Sequence, residues 1–191
     1  MLRTNRSDRA RRRRLDRRSG YGAGYGCEWV LIGNSREWVC RQASGRTLEL
    51  AVGSGLNLRW YPGDLEVVAV DIDRERVEVA GERLHALGRA VRVAVADGQR
   101  LPFDDDSFDA VVCTLAICDV DDRAATLAEA YRVIRPGGEV VLLDHFEKRW
   151  WHGRPATVGE RVGFTLVERR RLWAGYFERV RLRKPIEGSA S

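Results

Sequence analysis

The sequence lacks the features that would place it in a membrane or identify a structural metal. None of its apolar runs approaches the roughly 18 residues that a membrane-spanning helix needs. The four cysteines include no Cys-x-x-Cys pair, and the three histidines have no spacing typical of metal ligands. No apolar segment follows the N-terminal arginines, as an export signal would require. These absences predict a cytoplasmic protein with reduced cysteines and no metal site.

Lysine is also scarce, and the positive charge comes almost entirely from arginine. The 191 residues carry 33 basic and 28 acidic side chains, a net charge of +5. Residues 1–18 hold nine arginines and two aspartates, a net charge of +7. The other 173 residues carry 24 basic and 26 acidic groups, a net charge of −2. No aromatic residue interrupts this arginine-rich stretch, which disfavours nucleic acid as a partner. Transient contact of the stretch with an anionic membrane surface stays open as an alternative.

The hydrophobic pattern predicts one α/β domain behind an N-terminal arm. Residues 1–26 are basic and then glycine-rich, which is typical of a flexible arm, and 27–191 form the domain. Helices are predicted over 28–43 with a break near Gly33-Asn34, over 73–87, from Asp122 to the Pro136-Gly137-Gly138 stop, and over 156–162. Strands are predicted at 47–52, 66–71, 91–96, 108–115, 139–144, 164–169 and 177–183. This alternation favours a Rossmann-like three-layer sandwich with a mainly parallel sheet.

Polar and glycine residues follow the first four predicted strands. In a parallel sheet the ligand binds at the carboxyl ends of the strands, where the strand order reverses, so these loops are expected to line one site. Glycine lets the backbone approach a ligand closely, and a carboxylate can accept hydrogen bonds from ribose hydroxyls or from an adenine amine. The candidate cofactor-binding residues at these loops are Glu49, Ala51, Gly53, Ser54, Gly55, Asp71, Ile72, Asp97, Gly98, Thr114 and Leu115.

The glycine turn is unlike that of a dinucleotide site. A Gly-x-Gly-x-x-Gly turn would have a third glycine where Leu58 stands, so the cradle for a pyrophosphate is incomplete. Glu49, four residues before Gly53, is instead placed to accept from a cationic amine. Asp71 would hold a ribose and Asp97 an adenine. A ligand with an ammonium, a ribose and an adenine but no phosphates is S-adenosylmethionine.

Four segments resemble the motifs of class I S-adenosylmethionine-dependent methyltransferases. They are the glycine turn at 48–58, the acidic loop at 70–73, the loop at 97–104 with 107–109, and the crossover at 131–138. The last two resemble the type 11 methyltransferase domain in particular, and the likeness extends over about residues 27–145. The resemblance implies a seven-stranded sheet whose last strand is antiparallel. It also implies methyl transfer to a small organic acceptor, such as a quinone-like compound, a lipid headgroup or another metabolite. Ala51 departs from the family, which usually has glycine there but has alanine in similar quinone-biosynthesis enzymes.

The catalytic residues are less well marked than the cofactor residues. Methyl transfer needs mainly alignment, and a base only where the acceptor keeps a proton. His145 and Asp119 are the candidate bases at strand ends. A histidine bonded to backbone explains His145 equally well, and a local turn or cap is the favoured explanation of Asp119. The segment 146–162, which would cover the acceptor, is short. This leaves a cofactor-binding protein without catalysis as an alternative, whereas the missing third glycine disfavours an NAD-dependent oxidoreductase.

Overall fold

The computed structural model describes residues 32–87, 91–145 and 154–186, so the predicted arm at 1–26 lies outside the described residues. The helices are α1 (Ser35–Arg41), α2 (Arg74–Leu87), α3 (Arg123–Val133) and α4 (Pro155–Val162). The strands are β1 (Arg46–Leu50), β2 (Glu66–Asp71), β3 (Arg92–Val95), β4 (Phe108–Thr114), β5 (Ile134–His145), β6 (Thr165–Leu172) and β7 (Phe177–Arg183). Short 3₁₀ turns lie at Asn57–Arg59 and Trp173–Gly175.

The seven strands form one sheet in the order β3-β2-β1-β4-β5-β7-β6. Strands β1 to β5 pair in parallel, whereas β7 runs antiparallel to both of its neighbours, β5 and β6. Both the mainly parallel sheet and the antiparallel last strand are therefore confirmed. From β1 the order continues to β2 on one side and to β4 on the other. This reversal creates a crevice at the carboxyl ends of β1 and β4, where a ligand site is expected.

Helices cover both faces of the sheet and produce the three layers. Alternate residues of a strand point to opposite faces, and neighbouring Val111 and Val112 of β4 accordingly belong to different apolar clusters. The Val111 cluster is completed by α3 and α4, with Leu127 and Ala156 fully buried. The Val112 cluster is completed by α1 and α2, for example through Val39. The central strands are thus buried on both faces, as their unbroken apolar sequence predicts.

The predicted helix starts are confirmed by their capping bonds. Asp122 is the N-cap of α3, and its Oδ1 accepts from the Ala125 amide at 2.9 Å. Asp73 precedes α2, and its Oδ1 accepts from the Glu75 amide at 2.8 Å. In the first helical segment, Gly33 has φ +55°, which explains the predicted interruption before α1 begins at Ser35.

The entry into β5 differs from the sequence expectation. The pattern predicts that α3 continues until Pro136-Gly137-Gly138 and that the strand starts at residue 139. The structure ends α3 at Val133, and Ile134 already pairs with Phe108 before a register shift that brings Glu139 opposite Ala110. The Pro136-Gly137-Gly138 segment therefore forms a bulge within the sheet rather than the end of a helix. A Cβ on Gly138 would lie 2.7 Å from the Asp109 carbonyl oxygen, so only glycine fits this bulge.

Candidate functional site

A cavity of about 400 Å³ opens at the carboxyl ends of the strands, on the side where the strand order reverses. This volume lies within the usual range for small-molecule sites. Nine predicted cofactor residues and one predicted base line it, namely Ala51, Gly53, Ser54, Asp71, Ile72, Asp97, Gly98, Thr114, Leu115 and Asp119. Three further predicted residues, Glu49, Gly55 and His145, do not line the cavity. The loops after four different strands therefore meet at one site, as the topology requires.

The two glycines of the turn have different roles. Gly53 has φ +54°, and its amide donates to Asp71 Oδ2 at 2.8 Å, which connects the turn to the end of β2. Gly55 has φ +76°, and a Cβ there would lie 3.2 Å from the backbone of Ala80 on α2. Leu58, where a dinucleotide turn has its third glycine, is fully buried in the apolar cluster. Gly55 thus allows the turn to pack on α2, whereas Gly53 lies at the cavity wall.

Two non-glycine residues of the cavity wall have left-handed backbone conformations. Ala51 follows β1 and Leu115 follows β4, and both have φ +54°. This conformation costs a residue with a Cβ about 1–2 kcal/mol, and strained backbone of this kind concentrates at functional sites. The position of Ala51 is the one at which the resembling family usually has glycine, and the left-handed φ provides a physical reason for that preference.

Replacing Ala51 with glycine is expected to raise the free energy of unfolding by about 0.5–1 kcal/mol. The relief of left-handed strain exceeds the extra entropy that glycine gains in the unfolded chain. Urea unfolding monitored by circular dichroism would measure the change. Ala128→Gly, on the exposed side of α3, is the matched control and should lower stability by about 1 kcal/mol. A loss of stability in both variants would contradict the strain at Ala51.

The carboxylate of Asp71 is held firmly at the end of β2. Its side chain is only 4% exposed, and its two oxygens accept from the amides of Gly53 at 2.8 Å and Asp73 at 3.0 Å. A carboxylate oxygen can accept more than one hydrogen bond, so both oxygens retain capacity for hydroxyl groups of a ligand in the cavity. Beside it, Ile72 is 68% exposed and provides an apolar surface on which a flat ring can pack.

The loop after β3 is ordered by its own aspartate. Asp97 Oδ1 accepts from the Gln99 amide at 2.8 Å, and the Arg100 amide donates to the Asp97 carbonyl at 3.0 Å. Asp97 and Gly98 both line the cavity. Their loop follows β3, the edge strand next to β2. The predicted adenine-binding and ribose-binding carboxylates therefore lie at the ends of adjacent strands.

A polar network beneath and beside the cavity includes two residues that sequence reasoning missed. Arg36 Nη1 donates to Asn57 Oδ1 at 3.0 Å and to Thr114 Oγ1 at 2.9 Å. Asn57 Nδ2 donates to Thr114 Oγ1 at 2.8 Å and to Glu49 Oε1 at 3.0 Å. Arg36 also lines the cavity. It lies on α1, 78 residues from Thr114 in sequence, and no local pattern connects the two positions.

Glu49 is buried and is not among the residues that line the cavity. The residue is 1% exposed, and burial raises its pKa to about 7, although hydrogen bonds with Tyr61 and Asn57 and the charge of Arg36 oppose the rise. The sequence predicts that Glu49 contacts a cationic amine directly. In the structure, Glu49 is connected to the cavity wall through Asn57 and Thr114, and its direct contact with an amine stays a prediction.

Glu49→Gln is expected to remove a pH-dependent loss of stability. The pKa of the Glu49 carboxyl is about 7 in the folded protein and near 4.5 in the unfolded chain. The stability that the protonated carboxyl contributes is therefore complete below pH 4.5 and is lost as the pH rises through 7. The unfolding free energy of the parent protein, relative to Glu49→Gln, should therefore fall by about 2–3 kcal/mol between pH 5 and pH 8. Urea titrations at both pH values measure this. A constant difference between the two proteins would show that Glu49 keeps an ordinary pKa.

The two predicted bases are placed differently. Asp119 lines the cavity, in a turn closed by its amide and the Ala116 carbonyl at 3.0 Å. His145, the last residue of β5, lies outside the cavity lining, and its amide donates to Asp144 Oδ1 at 2.7 Å. Its ring stacks on Tyr176, with centroids 5.7 Å apart. The structure therefore brings only Asp119 to the cavity wall.

The fold, the glycine turn and the lining carboxylates together define a Rossmann-like domain with a nucleoside-type pocket. Residues 48–142 match the family model described as a methyltransferase domain. This match spans just under half of the chain, which in this region is similar to methyltransferase domains.

The chain is also similar to curated methyltransferases. It is 39% identical over 105 residues to the ubiquinone/menaquinone biosynthesis C-methyltransferase of Desulfotalea psychrophila, covering 53% of this chain and 42% of that protein. It is 34% identical over 106 residues to the phosphatidylethanolamine N-methyltransferase of Cereibacter sphaeroides, covering 54% and 52% of the two chains. This chain thus spans about half the length of the curated relatives it matches.

Solved structures share the fold at low sequence identity. A SAM-dependent methyltransferase from Aquifex aeolicus superposes with a TM-score of 0.60 at 20% identity, covering 72% of this chain and 80% of that chain. The [4+2]-cyclase SpnF superposes with a TM-score of 0.71 at 15% identity, covering 80% of each chain. In the described parts of the chain, no helix combines the length and apolarity needed to cross a membrane.

Proposed function

We propose that the domain binds S-adenosylmethionine in the cavity and transfers its methyl group to a small organic acceptor. The observation that carries this proposal is Asp71, whose carboxylate is fixed by the Gly53 and Asp73 amides at the wall of a cavity of suitable size. The similarity to the methyltransferase domain family supports it. We include a cytoplasmic location in the same proposal.

The residues of the cavity fit the separate parts of this cofactor. Asp71 would accept from the ribose hydroxyls, Asp97 from the adenine amine, and Ile72 would pack against the flat base. The amino acid end carries an ammonium and a carboxylate. At the Thr114 side of the cavity, the Arg36 guanidinium provides the positive charge that a carboxylate needs. The cradle matches a ligand without phosphates, because the third glycine of a pyrophosphate turn is replaced by buried Leu58.

The chain's contribution to methyl transfer would be alignment. The sulfonium of the cofactor would supply an already activated methyl group, and holding an acceptor in line with it can lower the barrier by about 7–11 kcal/mol. The strained loop at Leu115 and the neighbouring Asp119 form the part of the wall between the cofactor region and the acceptor side. Asp119 would take a proton from an acceptor that retains one. His145 would act only from outside the cavity lining.

The acceptor class follows from the relatives alone. Curated relatives are named for methylation of quinone precursors and of phosphatidylethanolamine, so we propose a quinone-like compound, a lipid headgroup or a similar small metabolite. The chain spans about half the length of those proteins, so the acceptor is part of the proposal.

A second candidate is cofactor binding without methyl transfer. Of the short segment at 146–162, the part that forms α4 packs into the apolar core through Ala156 and Val158, so it does not cover the cavity. The fold itself is compatible with this alternative, because SpnF, named a cyclase, shares it. A short acceptor cover is therefore a specific reason to test binding and transfer separately.

The test is calorimetry of the full chain with S-adenosylmethionine, followed by incubation of the protein and methyl-labelled cofactor with fractionated extract. Micromolar binding and label transfer to a small molecule would support the proposal. Binding without transfer to any fraction would favour the second candidate. Binding of NADH more tightly than S-adenosylmethionine would contradict both candidates and favour an oxidoreductase.

A further inference from the structure

A second group of chemically active side chains lies at the same edge of the sheet, beside the cavity. Cys118 is in the loop after β4, and Asp144 and His145 end β5. The residues on either side of Cys118, Ile117 and Asp119, line the cavity, whereas the three themselves do not. Methyl transfer as proposed above does not require this group.

The donor atoms of the three side chains lie close together. Cys118 Sγ lies 3.6 Å from His145 Nδ1, and His145 Nδ1 lies 3.6 Å from Asp144 Oδ1. All three donor atoms lie within 4.8 Å of one another. A tetrahedral zinc ion has bonds of about 2.3 Å to sulfur, 2.0–2.1 Å to nitrogen and 2.0–2.2 Å to oxygen, which places its donor atoms roughly 3.3–3.6 Å apart. Both distances from His145 Nδ1 are therefore close to the edge of such a tetrahedron.

The surrounding structure fixes the orientation of each donor. The carboxylate of Asp144 accepts from the Cys118 amide at 3.0 Å and from the His145 amide at 2.7 Å. The imidazole of His145 is stacked on Tyr176 and packs against Phe177, with centroids 5.7 Å and 5.8 Å apart. Metal ligands in proteins are typically held by neighbouring contacts of this kind.

The charge of the group also favours a cation. Asp144 is 1% exposed, so its carboxylate has been removed from water. Within the described residues, its ion-pair contact is with His145, and neither an arginine nor a lysine pairs with it. A buried carboxylate requires compensation, and a divalent cation between the oxygen, the nitrogen and the sulfur would provide it.

We propose that Cys118, Asp144 and His145 form a binding site for a borderline-soft divalent cation of the Zn²⁺ class. The mixed sulfur, nitrogen and oxygen donors exclude Mg²⁺ and Ca²⁺, which prefer oxygen alone. Three protein ligands leave a fourth position for water or for a thiol or hydroxyl of a bound molecule. Ile117 and Asp119, on either side of Cys118, line the cavity, so the three ligands lie next to it. The sequence spacing conceals the site, since Cys118 in the loop after β4 is 26 residues away from Asp144 on β5.

The test uses Co²⁺ as a spectroscopic substitute for Zn²⁺. The full chain is reduced, stripped of metal with a chelator and titrated with Co²⁺ under anaerobic conditions. We expect one equivalent to bind, with visible bands of a tetrahedral site and a near-ultraviolet sulfur-to-cobalt charge-transfer band, all displaced by Zn²⁺. Cys118→Ser should abolish the charge-transfer band, and His145→Ala and Asp144→Asn should weaken binding at least about tenfold.

The controls separate this site from other donors in the chain. His85→Ala, on the exposed side of α2, and Cys27→Ser should leave both the stoichiometry and the spectrum unchanged. Melting curves establish that each variant is folded. If Asp144→Asn unfolds the protein, the conservative Cys118→Ser variant still tests the sulfur ligand. Absence of the charge-transfer band in the parent protein would overturn the proposal, and so would an unchanged band in Cys118→Ser. The measurement requires no methyl transfer, so it stands apart from the proposed activity.

Discussion

Replacing Asp71 with alanine is expected to weaken S-adenosylmethionine binding at least about 100-fold. The carboxylate would form charge-assisted bonds to two ribose hydroxyls, each contributing about 1.5–3 kcal/mol, and every 1.4 kcal/mol corresponds to a factor of ten. The substitution also releases the Gly53 amide, which Asp71 Oδ2 holds at 2.8 Å, so the glycine turn loses a contact with β2. Asp71→Asn keeps one acceptor oxygen and the size of the side chain, and should lose about tenfold.

Isothermal titration calorimetry of the two variants and the parent protein measures this effect. Asp64→Ala removes the same charge from an exposed position before β2, and its affinity should equal that of the parent. Thermal unfolding of each variant must show a cooperative transition, because the amides of Gly53 and Asp73 are left without their acceptor in Asp71→Ala. A dissociation constant within threefold of the parent value would place the ribose elsewhere.

Replacing Arg36 with alanine is expected to weaken S-adenosylmethionine binding about 10- to 30-fold, while 5′-methylthioadenosine binds almost as before. The second ligand has the adenine, the ribose and the sulfur, but lacks the carboxylate and the ammonium. A guanidinium–carboxylate contact contributes about 1.5–3 kcal/mol, and only the complete cofactor can make it. Calorimetry with both ligands measures the difference directly.

The comparison of ligands separates a contact with the cofactor from support of the cavity. Arg36 donates to both Asn57 and Thr114, so its removal also disturbs the wall. A purely supporting role would weaken both ligands equally, and that outcome would contradict the assignment. Arg41→Ala, at the exposed end of the same helix, removes a guanidinium that pairs with Glu37 and should leave both affinities unchanged.

The parts of the site that the sequence predicts are those encoded locally. Each strand end carries its own signal, because an apolar run followed by glycine or aspartate marks both the strand and the residue facing the ligand. Asp71 and Asp97 were identified in this way, and both line the cavity. The seven strands were identified with boundaries that differ by a few residues from those observed.

The parts that escaped prediction depend on contacts between distant segments. Arg36 reaches Thr114 only because α1 packs on the sheet beside β4 and β5, and no pattern within α1 indicates this. Glu49 is placed correctly in its strand, but the network above it decides whether it faces the cavity. The end of α3 at Val133 is likewise set by pairing of Ile134 with Phe108, which overrides the later turn signal.

The position of β7 between β5 and β6 has a consequence for how the chain reaches its fold. During synthesis β6 emerges before β7, yet among the strands that the structure describes β7 is its sole partner. Until residues 177–183 are available, β5 is an open edge and β6 has no partner. The final third of the sheet must therefore assemble after synthesis of β7, and a chain truncated before residue 177 would expose two unpaired strands with a tendency to aggregate.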